Sequence, residues 1–116
     1  MLRGDGAGFR DEDLEAYWRP FAEGRAREAT LEFYRSMDFE KLAPYEAGPA
    51  ALGVPTLLLW GERDNFAPLS GAHRFEREIE GAELVVVPSA GHFVFETAPD
   101  LCIAEVAGFL GRVSGR

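Results

Sequence analysis

Two short apolar runs constrain this chain most: PTLLLW at residues 55–60 and ELVVVP at residues 83–88. Each is bounded by proline or glycine and lacks the polar alternation of a strand with one wet face, so each reads as a strand buried on both faces. Between them, PLSGAHRFEREIEG places Leu69, Ala72, Phe75 and Ile79 on one helical stripe, with Gly81 past the end as a stop. Strand, helix and strand at this length predict parallel strands joined by a right-handed crossover. The loops leaving both strands then emerge at one edge of the sheet, where function sits.

The flanking segments are helical. Thr97, with Asp100 three residues later and Pro99 in the first turn, predicts the start of a closing helix through LCIAEVAGFL that stops at Gly111. Upstream, Leu14, Tyr17, Trp18 and Phe21, then Ala26, Ala29, Thr30, Phe33, Tyr34 and Met37, recur at helical spacing. They predict two helices separated near Gly24, with Asp11 as N-cap and Pro20 kinking or ending the first. Residues 43–55, APYEAGPAALGVP, hold three prolines and two glycines and read as a linker without regular structure. The predicted order is αα then βαβα, an α/β class with residues 1–47 as a helical segment and 48–116 as the βαβα unit.

Composition narrows the function. A chain of 116 residues is one domain or a piece of one. Twelve basic residues against twenty acidic ones give a net charge of −8 with no basic cluster, which argues against nucleic acid as a partner. There is no apolar stretch long enough to span a membrane, and MLRGDGAGFRDED lacks the apolar run of a secretory signal, so a cytoplasmic location is expected. The single cysteine, Cys102, excludes an internal disulfide and a cysteine-based zinc site.

Two residues carry chemistry. WGERD after the first strand ends in Asp64, and PSAGH after the second ends in His92. Neighbouring strands about 5 Å apart would deliver this carboxylate and imidazole to the same rim. An Asp–His dyad follows, in which the carboxylate accepts the Nδ1 proton, selects the tautomer and stabilises the imidazolium formed when Nε2 takes a proton. Glu62, Asp64, His73 and His92 are metal-ligand types, but their spacing matches no metal motif, so no metal is expected. His73 reads as an exposed helix residue. Cys102, among the apolar residues of LCIAEV, reads as a buried and inert thiol.

VPTLLLWGERDNFAP, a helix, GAELVVVPSAGHFVFETAPD and a closing helix together resemble the C-terminal end of α/β-hydrolase fold enzymes over roughly residues 54–111. The resemblance implies that Asp64 is the triad acid and His92 the triad histidine, in the chain order nucleophile, acid, histidine. It implies hydrolysis of an ester or similar bond in a small-molecule substrate, without a cofactor. Esterases, haloalkane dehalogenases, epoxide hydrolases and carbon–carbon bond hydrolases share this ending. The helical segment resembles the end of a cap domain, with Trp18, Phe21, Phe33 and Tyr34 facing a substrate pocket, and Phe93 after His92 is expected to contact substrate with them; core packing is the alternative for aromatics at helical spacing.

The departure from the family pattern is the nucleophile. The serines are Ser36, Ser70, Ser89 and Ser114, and none lies in G-x-S-x-G. Ser89 has the second glycine, but Val87 occupies the place of the first, and it reads as a residue that shapes the His92 loop. A truncated C-terminal portion, inactive alone, is therefore expected. The alternative is a non-catalytic module that uses the open edges of a two-stranded sheet to form a homodimer or bind a partner chain.

Overall fold

The computed structural model describes residues 9–51 and 53–115. Residues 1–8, part of the stretch that the leader expectation concerned, lie outside the described residues, as do Leu52 and Arg116. Helices α1 (Asp11–Glu23) and α2 (Ala26–Ser36) divide near Gly24, as the apolar spacing predicts. Arg10, not Asp11, is the N-cap of α1: its N–H donates to Asp13 Oδ2 at 3.0 Å. The acid that reaches back is thus in the third helical position, where it also faces the positive end of the helix. The helix continues through Pro20 to Glu23 instead of finishing there. With only three residues beyond it, the missing N–H bond sacrifices little.

The linker is more ordered than its prolines suggest. A 3-10 helix spans Phe39–Tyr45 with Pro44 inside it, followed by the single turn α3 (Gly48–Ala51). Proline's fixed φ suits a short 3-10 turn, whose few hydrogen bonds leave little to break.

Then come β1 (Leu57–Gly61), α4 (Leu69–Glu78), β2 (Glu83–Val87), the one-turn α5 (Val94–Thr97) and α6 (Pro99–Ser114). The strands pair in parallel, from Leu57 opposite Glu83 to Gly61 opposite Val87. After α4 the chain turns extended at Ile79, and Gly81 adopts φ +74°, the left-handed conformation that favours glycine at a helix stop. The N-cap of α6 is Ala98, not Thr97. The Thr97 hydroxyl instead donates to the Phe93 carbonyl at 3.1 Å, because Thr97 already belongs to α5. Helix α6 also passes Gly111 to reach Ser114.

The strands alternate in what they face. Leu59 packs against a buried cluster of Val87, Ala90, Val94 and Cys102, with Ala98 alongside. Its neighbour Trp60 turns to α4, its ring 6.4 Å from Phe75 and its Nε1 donating to the Ala67 carbonyl at 2.7 Å. Only Gly61 and Val87, at the C-terminal ends, are fully buried; the other strand residues are half-buried apart from exposed Glu83. This corrects the expectation of strands buried on both faces. Two strands, among the described residues, cannot surround each other, so continuous apolar runs keep part of their surface in contact with solvent. The Val87 side chain, 1% exposed, contributes about 2 kcal/mol by its burial. This core lies directly behind the turn that carries His92.

Candidate active site

The site forms where β1 and β2 end. The chain leaves β1 at Gly61 and reverses so that Asp64 N–H meets the Gly61 carbonyl at 3.3 Å. Asp64 then organises the loop ahead of it: Oδ1 accepts from the backbone N–H groups of Phe66 at 2.9 Å and Ala67 at 2.8 Å. This is an aspartate-closed turn, a structure for which its short acceptor side chain is suited. The second oxygen, Oδ2, is thereby aimed at the next strand end.

There it meets His92, with Nδ1 2.9 Å from Asp64 Oδ2. The Asp64 side chain is 5% exposed and that of His92 40%. Burial alone would raise the Asp64 pKa; the Ala67 N–H, the His92 ring and the Phe66 N–H outweigh it and hold the carboxyl below the usual aspartate range. An ionised carboxylate only accepts, so the His92 nitrogen facing it is the protonated Nδ1, which leaves Nε2 as the basic nitrogen of the neutral ring.

The two loops are joined by backbone as well as by this pair. Glu62 N–H donates to the Val87 carbonyl at 3.1 Å and Arg63 N–H to the Ala90 carbonyl at 2.9 Å. Ser89 takes φ +59° in the turn, and its N–H donates to Glu62 Oε2 at 2.8 Å. Ser89 thus shapes the His92 loop through its backbone.

Aromatic rings flank the imidazole. Phe66 lies 5.5 Å from it in a tilted arrangement, and Phe93 5.3 Å away edge-on. Phe93 in turn meets Phe9 at 5.6 Å, and Phe9 meets Tyr17 of α1 at 6.2 Å. The Tyr17 hydroxyl donates to Glu96 Oε1 on α5. Helix α1 is thereby tied to the turn that follows His92. A cleft of about 140 Å³ opens beside the pair, lined by Leu59, Trp60, Gly61, Asp64, Ala67, His92 and Val94. Its walls are mostly apolar, with the Asp–His pair as the polar group.

Of the residues singled out in the sequence, Asp64 and His92 come together, while Phe93 packs edge-on against the His92 ring without lining this cleft. Trp18, Phe33 and Tyr34 are exposed on α1 and α2, and Phe21 is half-buried; none of the four lines this cleft. Phe33 and Tyr34 pack on each other, ring centres 5.8 Å apart. His73 is half exposed and pairs with Glu76 on α4, 3.2 Å away. Cys102 is fully buried, its thiol pushed up by burial and donating to the Val94 carbonyl at 3.5 Å. No three potential metal ligands cluster among the described residues. Sequence reasoning missed Phe66 and weighed Glu62 only as a metal-ligand type, not as a partner of Ser89, although both lie within two residues of Asp64. It also missed the docking of Tyr17, whose helical spacing carries no sign of a partner 79 residues away.

Comparison with known proteins decides the family. The model of the TAP-like proteins, an α/β-hydrolase family, matches residues 36–113. The chain belongs to this family. The TAP-like chain is 28% identical over 100 residues to the uncharacterized hydrolase YugF of Bacillus subtilis (strain 168), covering 86% of this chain and 36% of that one. It superposes on a thermophilic esterase from Thermogutta terrifontis, solved with malate bound, with a TM-score of 0.57 and 29% identity, covering 60% of this chain and 25% of the other. A putative lipase (lip1) from Acinetobacter baumannii AYE matches 96% of the chain and 38% of its own at TM-score 0.68; at 20% identity it shows the fold alone. The TAP-like chain thus spans between a quarter and two fifths of these relatives' lengths. Membership of a hydrolase family favours the hydrolase expectation over the non-catalytic interaction module. No helix among the described residues is long and apolar enough to cross a membrane.

Proposed function

We propose that Asp64 and His92 are the acid and base of a hydrolase site acting on an ester or similar bond of a small molecule. One observation carries this: an aspartate whose first oxygen is engaged by two backbone N–H groups presents its second to His92 Nδ1 at 2.9 Å. His92 Nε2 takes the proton of an attacking serine or water hydroxyl, the new carbon–oxygen bond forms, and Asp64 stabilises the resulting imidazolium. The imidazolium then returns the proton to the leaving oxygen as its bond to carbon breaks. The apolar cleft suits an uncharged acyl or alkyl group.

The nucleophile is contributed from outside residues 1–116, which contain no G-x-S-x-G elbow. Residues 9–47 form the end of a cap, a role supported by the link from Tyr17 to Glu96 beside the His92 turn. The test is p-nitrophenyl ester hydrolysis by this chain and by the longer protein that contains it. The chain alone is expected to show no His92-dependent activity, and His92→Ala to abolish that of the longer protein. An unaffected His92→Ala in the longer protein overturns the role of the pair; activity of the chain alone, abolished by His92→Ala, overturns the external nucleophile.

A further inference from the structure

Ser89 is the one non-glycine residue with positive φ among the described residues, and it lies three positions before His92. A left-handed serine is disfavoured and persists only where its surroundings hold it. The side chain that holds this one is Glu62, two positions before Asp64, whose Oε2 accepts the Ser89 N–H at 2.8 Å across 27 residues of sequence. The backbone of Glu62 meanwhile donates to Val87, the residue from which the turn departs. Glu62 therefore grips the His92 turn at its start and at its strained residue, on the same loop that supplies Asp64.

We infer that Glu62 is a positioning residue of the pair: by fixing the Ser89 turn it sets the height of His92 against Asp64 Oδ2. This rests on the assignment of Asp64 and His92 as the working pair. The bond is charge-assisted, and such bonds are roughly twice as strong as neutral ones. An imidazole needs placement within about 0.5 Å for productive proton transfer, and a loop without such support does not hold it.

The experiment is nuclear magnetic resonance on the 15N-labelled chain, in which His73 is the only other histidine. Two signals are followed: water exchange of the His92 Nδ1 proton and of the Ser89 amide. Glu62→Ala is expected to speed both by about tenfold or more, the loss of one charged hydrogen bond. Glu62→Gln, whose amide oxygen still accepts, keeps both within about threefold of wild type. Adding Ser89→Gly to Glu62→Ala restores the His92 signal, because glycine adopts positive φ without strain. Unchanged His92 exchange in Glu62→Ala, equal losses in the Gln and Ala variants, or no rescue by Ser89→Gly would each overturn the inference. Where Glu62→Ala does not fold, the Gln variant and Ser89→Gly alone carry the test: the first is expected near wild type, the second to slow His92 exchange, and the opposite result in either overturns the inference. Asp64→Asn separates this from the assignment of the pair: it is expected to abolish the His92 signal while the Ser89 amide stays protected, whereas an unchanged His92 signal condemns the pair itself.

Discussion

Gly61 approaches Gly91 so closely that a Cβ on Gly61 would lie 2.0 Å from the Gly91 carbonyl oxygen and 2.6 Å from that of Ala90. The demand is for space rather than for a special φ: the strand end and the His92 turn cross with no room for a side chain. Both contacts are backbone atoms, so the clash cannot be relieved by a rotamer change. Gly61→Ala is expected to destabilise the chain by about 2 kcal/mol or more in urea unfolding and to separate Asp64 from His92. A variant as stable as wild type would show that the loops do not cross here.

Asp64→Asn replaces an acceptor-only group by one that still accepts from Phe66 and Ala67 but no longer carries charge for the imidazolium. Where the proposed external nucleophile completes the site, turnover of this variant should fall by up to about 10⁴, with ester KM little changed. A drop of less than about tenfold in steady-state kinetics would contradict the role of Asp64.

Stability should decline in acid through the same residue. The Asp64 pKa is depressed in the fold, so the unfolded chain binds its proton at higher pH. The contribution is fully present above the ordinary value of 3.8 and is lost as pH falls through the lower folded value. Urea midpoints between about pH 5 and pH 2 should therefore fall more steeply for wild type than for Asp64→Asn. Parallel declines would remove Asp64 from the acid response.

Cys102 should resist modification. It is fully buried and its thiol pKa is raised by burial. Labelling by a thiol reagent at about pH 8 is expected to run at least about tenfold slower in the folded chain than in urea. Comparable rates would mean that α6 opens readily.

Trp60 closes the loop after β1 from the opposite face, its indole donating to Ala67, whose own N–H holds Asp64. Trp60→Phe keeps the ring packing on Phe75 and removes that hydrogen bond, so a loss of about 1 kcal/mol is expected from the urea midpoint.

Much of this was legible in the chain itself. The strand, helix, strand order and the positions of Asp64 and His92 just past the strand ends follow from apolar periodicity and turn residues, which are properties of sequence neighbours. The misreadings were also local. At Thr97 the extra turn α5 moved the cap of α6 on by one residue, and at Pro20 the helix had almost ended. That Trp18, Phe21, Phe33 and Tyr34 face a substrate pocket is implied by the resemblance of their segment to a cap domain; helical spacing by itself reports that a face is apolar but not what it meets.

What the sequence alone determined, then, is the α/β order and which two residues stand at the strand ends, because backbone propensity and hydrophobic period act over a few residues. Only the tertiary structure decided that Asp64 and His92 meet at 2.9 Å across 28 residues, that Glu62 holds Ser89, and that Tyr17 reaches Glu96. Those distances depend on strand register and on the close crossing at Gly61. Both are set by packing between segments far apart in the chain, which no local pattern encodes.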